Sequence, residues 1–232
     1  MPGFTDYLIW LLCTLLEAAV VVCAFKKQAL RRYFFLNFYM AASLAASILR
    51  YKILITYGWS SSQYVYFYYY SDALLTIALY FALTSLYGHV FSELKADRYI
   101  KLWAMLLLAG TALFSYGVVY EAESKLVTRF VVELSQNLYF VGLVLTYVLW
   151  AAILKLRETR TRLIQLVLSL GIYFSLFAAN YALRNLYPSF SPFFMSLLPF
   201  FACFLPLAWA YAFWKLPEDA RLAPARLAVM PR

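Results

Sequence analysis

Six ionisable residues of this chain stand inside long apolar runs: Glu17, Arg50, Asp72, Arg129, Glu133 and Arg184. A charge at the centre of a membrane helix costs about 2.5 to 3.5 kcal/mol on insertion scales, so such groups face a bundle interior and find a partner there. At helical spacing they fall into stripes with other polar side chains: Ser43, Ser47 and Arg50; Asp72 and Thr76; Arg129, Glu133, Gln136 and Asn137; Asn180 and Arg184. Arginines and carboxylates at one depth can do two things. They bind a small polar molecule through paired charges, or they lock helices together at about 1 to 2 kcal/mol per contact.

The first possibility predicts an outward-facing polar cavity in which Asp72 and Glu133 are opposed by Arg50 and Arg184. The stretch "YVYFYYYSD" would roof it, which makes Tyr68 and Tyr69 candidate ligand contacts beside Arg50, Asp72, Thr76, Glu133, Asn137, Asn180 and Arg184. The same tyrosines also fit an interfacial aromatic belt. Lys52, Arg129 and Arg184 also fit snorkelling to the nearer surface, and Asp72 also fits a purely structural interhelical contact. Glu17 lies alone near the middle of the first run. It reads either as the proton-coupling carboxylate of a transporter or as a structural acid hydrogen-bonded to a neighbouring helix.

Other chemistries find no residues to carry them. His89 is the one histidine, and a zinc site needs three or four ligands. There is no HExxH, no GxSxG and no GxGD pair. Cys13, Cys23 and Cys203 fall inside apolar runs without CxxC spacing, so they read as small hydrophobes and no disulfide is expected. No catalytic residue, metal ligand or cofactor is assigned, and the chain is expected not to be an enzyme.

The elements that must position these groups follow from composition. Of 232 residues, 65% are hydrophobic and 13% charged, against roughly 45 to 50% and about 25% in soluble domains. The expected class is an all-α integral membrane protein. A bilayer core of about 30 Å needs roughly 20 apolar residues. That ruler places seven spans near Phe4 to Phe25, Tyr33 to Tyr57, Tyr64 to Val90, Ile100 to Tyr120, Val127 to Leu154, Leu163 to Leu186 and Pro192 to Trp214. Residues 1–214 form one seven-transmembrane-helix bundle, and residues 215–232 a short basic tail without periodicity, expected to be disordered.

Fifteen of the twenty basic residues lie in alternate loops, "KKQALRR", "ELKADRYIK" and "KLRETRTR", and in the tail from "WKLPEDAR". The positive-inside rule then puts the amino terminus outside and the carboxyl terminus in the cytoplasm. The net charge of +9 is accordingly read as contact with anionic lipid headgroups of a plasma (inner) membrane and not with nucleic acid.

Three seven-helix comparisons fail on particular residues. A retinal protein needs a lysine within the last span, and none lies between Pro192 and Trp214. The triplet Asp97, Arg98 and Tyr99 opens the fourth span, whereas G-protein-coupled receptors carry it at the end of the third. A single histidine cannot build the zinc site of the membrane hydrolases related to alkaline ceramidase. The stretches "RRYFFLNFYM", "YFYYYSDALLTIALYFAL" and "WAYAFWKLPE" do resemble an uncharacterised family of bacterial seven-helix membrane proteins of the kind found in acidobacterial genomes. That resemblance spans nearly the whole chain and implies its architecture but no activity.

These readings lead to a receptor-like or sensory module. It would take a small-molecule ligand from the outer side and signal to a cytoplasmic or membrane partner through its basic loops. A small transporter or channel using Glu17 is the alternative from another class, and a non-catalytic membrane scaffold or assembly protein is a third.

Overall fold

The computed structural model describes residues 4–91, 97–120, 126–218, 220 and 221. Among them run seven helices: α1 (Phe4–Lys26), α2 (Phe34–Tyr57), α3 (Ser62–Val90), α4 (Asp97–Tyr120), α5 (Leu126–Lys155), α6 (Thr161–Leu186) and α7 (Ser191–Lys215), with a 3₁₀ turn at Pro188–Phe190 before α7. Each carries a stretch long and apolar enough to cross a membrane. The spans expected from hydropathy agree to within three residues at every end. Part of the basic second loop (residues 92–96), Lys125 and the tail from 222 to 232 lie outside the described residues.

Local chemistry ends the helices where the polar gaps begin. Gln28 (φ 52°) and Arg157 (φ 51°) take left-handed backbone just past α1 and α5. After α2 the chain turns at Gly58, whose φ of 83° suits a residue without a Cβ. Ser61 then caps α3, its Oγ accepting from the Tyr64 N–H at 3.2 Å. Pro199 and Pro206 inside α7 each remove one backbone donor from the helix.

Six helices close a ring in the order α1, α2, α3, α5, α6, α7, with α7 packing back on α1. The remaining helix, α4, packs on α5 and touches α3 only lightly. Its large side chains, such as Trp103, Met105, Leu113 and Phe114, are exposed, as suits a helix facing lipid. The seam between first and last helices is covalent: Cys13 and Cys203 form a disulfide, with Cα atoms 4.9 Å apart. This corrects the sequence expectation for two of the three cysteines; only Cys23 is a free, buried thiol. The pairing leaves no local signal, because the partners are 190 residues apart and meet only when the ring closes.

The core is concentrated at one end. Every buried residue of α7 (Leu205, Pro206, Trp209, Ala212, Phe213) lies in its second half. Those of α1 (Glu17, Val20, Cys23, Ala24) begin at Glu17. That end also carries the loops rich in Lys and Arg, and its closure is polar. Glu218 pairs with Arg32 at 3.1 Å and with Arg162, and it accepts from the Tyr33 hydroxyl at 3.2 Å. Arg162, 5% exposed, also donates to the Leu216 carbonyl. In the α5–α6 turn, Glu158 accepts from Arg160 and from the Thr159 N–H. The Arg160 hydrogen bond holds the Glu158 carboxyl below the usual carboxylate range.

Candidate ligand-binding cleft

At the opposite end, where α2 hands over to α3, the inner faces of the ring are polar. Residues Tyr39, Ser43, Ser47 and Arg50 form one stripe of α2, and Tyr68, Asp72 and Thr76 one stripe of α3. On α6 the stripe is Tyr173, Phe177, Asn180, Tyr181 and Arg184, and on α5 it is Ser135 and Tyr139. Ring contacts join the α5 and α6 stripes: Tyr139 stacks on Phe177 at 4.9 Å, and Phe177 lies 4.5 Å from the Tyr173 ring on its own helix.

Arg50 is held firmly. Its Nε donates to Ser71 Oγ at 2.9 Å, its Nη2 donates to the Tyr68 carbonyl at 3.2 Å, and its guanidinium lies 4.4 Å from the centre of the Tyr68 ring. From there it acts electrostatically on both Glu17 and Asp72. Glu17 is buried and accepts from the hydroxyls of Ser43 and Ser47, the latter at 3.1 Å. Asp72 faces the Ser135 hydroxyl and lies within electrostatic range of the hydroxyls of Tyr68, Tyr139 and Tyr181. It belongs to none of the ion pairs among the described residues. Arg184 lies over Tyr181 at 5.7 Å, and Asn180 Nδ2 donates to the Phe194 carbonyl of α7 at 2.8 Å.

Two observations single out this place for a ligand. Tyr68 keeps 38% of its surface accessible, and Asp72 beside it is half-buried. The flanking halves of α1 and α7 bury no described side chain between Tyr7 and Leu16 or between Ser191 and Phe204. Second, two buried polar atoms here have no hydrogen-bond partner: Asn180 Oδ1 and Arg184 Nε. Buried polar groups are hydrogen-bonded as a rule, so two orphans one turn apart on α6 call for a ligand or water.

Most of the expected residues meet here: Arg50, Asp72, Thr76, Tyr68, Asn180 and Arg184. Tyr69, 37% exposed, packs edge-on against Tyr68. The fifth helix is the exception. Asn137 turns toward α4, donating to Ser115 Oγ at 2.9 Å, and Glu133 stands one turn before it on the same face. Arg129 is exposed. The inward stripe of α5 is Ser135 and Tyr139, which carries hydroxyls and no charge, and a search restricted to ionisable groups passes over it. Tyr181, between Asp72 and Arg184, was also missed; its signal is the Tyr173, Phe177, Tyr181 spacing in register with Arg184.

The aromatic column continues toward the basic end. The Tyr173 hydroxyl interacts with those of Tyr139 and Tyr39, and Tyr39 packs edge-on against Trp209 at 6.1 Å. Trp209 Nε1 donates to Ser169 Oγ at 3.0 Å. One turn on, Phe213 lies 5.8 Å from Tyr33 and 6.0 Å from the Arg162 guanidinium. A separate shallow cavity of about 120 Å³ lies between α5 and α6, lined by Tyr147, Leu168 and Ile172 on the outer surface, away from Asp72. No group of three or more His, Cys, Asp or Glu side chains suited to a metal occurs among the described residues. No family model matches the chain, and no curated protein or solved structure matches it.

Proposed function

We propose that this protein is a receptor-like sensory module of the plasma membrane, with its amino terminus outside and its carboxyl terminus in the cytoplasm. A small molecule enters the cleft from the outer side and binds among Tyr68, Asp72, Tyr181 and Arg184. The observation that carries the reading is the pair of buried, unpartnered polar atoms on α6, Asn180 Oδ1 and Arg184 Nε, beside a half-buried Asp72 that is in no ion pair among the described residues. Orientation rests on the basic loops.

The output follows from where the core is loose and where it is tight. The outer halves of α1 and α7 bury little, so they are free to close on a ligand held by α3 and α6. A ligand shifts the bundle only if it binds the closed state better than the open one. The aromatic column from Tyr181 through Tyr139, Phe177, Tyr173, Tyr39 and Trp209 ends at Phe213 and Arg162, which holds Glu218 at the start of the tail. Closure at the outer end is thereby transmitted to the basic end, where a cytoplasmic partner would read it.

The test uses the full chain in lipid nanodiscs and a library of small polar molecules, screened by thermal stabilisation. A compound that raises the Tm of the wild type but not of Asp72→Asn is then added to protein spin-labelled at positions 157 and 215. We expect the distance distribution between the labels to change. Binding that depends on Asp72 but leaves that distance unchanged overturns the sensory reading.

A further inference from the structure

We infer that the ligand of this cleft is a small zwitterion, its carboxylate held by Arg184 and its ammonium group by Asp72, Ser135 and the Asn180 side-chain oxygen. The inference rests on the sensory reading for the use of the site, but its chemistry is argued from unfilled valences alone.

The two arginines of the cleft differ in what they have left to give. Arg50 is committed to Ser71, to the Tyr68 carbonyl and to the Tyr68 ring. Arg184 stacks on Tyr181 and keeps a buried Nε–H without an acceptor. A guanidinium donor in that state is suited to an anionic oxygen, preferably a planar carboxylate. The acceptors are unfilled too. Asn180 is 2% exposed, and its Oδ1 has no donor although its amide nitrogen is used on Phe194. Ser135 is also 2% exposed, and its hydroxyl faces Asp72. Asp72 is in no ion pair among the described residues.

The cleft therefore offers one free cationic donor, one unpaired carboxylate and two neutral oxygens. A simple anion would satisfy Arg184 and repel Asp72. A simple cation would satisfy Asp72 and leave Arg184 unfilled. A molecule with a carboxylate at one end and an ammonium at the other fills both.

The experiment measures binding to the full chain in nanodiscs by calorimetry. Probes are glycine, β-alanine and γ-aminobutyrate, which separate the same two charges by increasing lengths, against choline, acetate and erythritol as cation, anion and neutral polyol. We expect saturable binding of at least one zwitterion and none of the other three. Arg184→Gln and Asp72→Asn should each weaken it by about 10- to 100-fold, as loss of a charge-assisted hydrogen bond does. Choline or acetate binding as tightly as the best zwitterion overturns the proposal, as does no zwitterion binding at all.

Ser135→Ala guards against a variant that merely fails to fold. It keeps both charged groups of the cleft and removes only the hydroxyl that faces Asp72, so the protein should still fold, read as a cooperative thermal transition, while binding the zwitterion more weakly. A Ser135→Ala protein that binds as tightly as wild type removes Ser135 from the site and overturns the assignment of the ammonium pocket. Binding is read here without reference to the basic end, so a silent basic end counts only against the sensory reading.

Discussion

Arg162 is the most consequential single side chain outside the cleft. It is buried at the start of α6, and its guanidinium serves the Leu216 carbonyl and the Glu218 carboxylate at once. Replacing it with Met keeps the length of the stem but leaves the carbonyl without its donor and Glu218 with only Arg32 and Tyr33. Glu218 is 28% exposed, so water softens the loss. The expected cost is about 1 to 3 kcal/mol in equilibrium unfolding from mixed micelles. A Glu218→Gln protein should lose less, because Arg162 keeps the backbone carbonyl. Equal losses would mean that the ion pair, and not the carbonyl bond, fixes the tail. Sequence reading saw these residues only as solvated positive charge, since Arg162 is separated from Glu218 by the whole of α6 and α7.

At the level of elements, α5 and α6 approach each other closely at two glycines. A Cβ on Gly142 would run into the Phe174 ring, which is fully buried, and one on Gly171 would come within 2.8 Å of Thr146 Cγ2. Phe174 has no empty side to move into, so Gly142→Ala should destabilise the bundle by about 1 to 3 kcal/mol through overpacking. Gly110→Ala, where a Cβ meets open space on α4, should be neutral or stabilising in the same unfolding assay. The helices themselves were readable from composition because a membrane leaves the backbone few other ways to satisfy its hydrogen bonds. Their inward faces were readable on α2, α3 and α6, where a charge sits on the stripe. On α5 the charges Arg129 and Glu133 lie away from the ring interior, and spacing alone cannot say which of two polar faces a helix turns inward.

As a whole, the described molecule is a six-helix ring with α4 outside it, and its first and last helices bury side chains at one end only. That asymmetry was half legible: charge counting separated the two ends, but which halves of α1 and α7 bury their side chains follows only from packing in three dimensions. The seam at Cys13 and Cys203 has a consequence that reaches beyond the cleft. A chain tied near both termini is, between those ties, a closed loop. Cutting it once produces no separate piece. Trypsin acting at the exposed Arg157 should yield a single species of unchanged mass on a non-reducing gel and two fragments after reduction, and two fragments without reductant would mean that the loop is not closed. In that loop, the first and last helices are neighbours along the covalent path as well as in space. The order in which the helices were synthesised therefore no longer decides which of them can part.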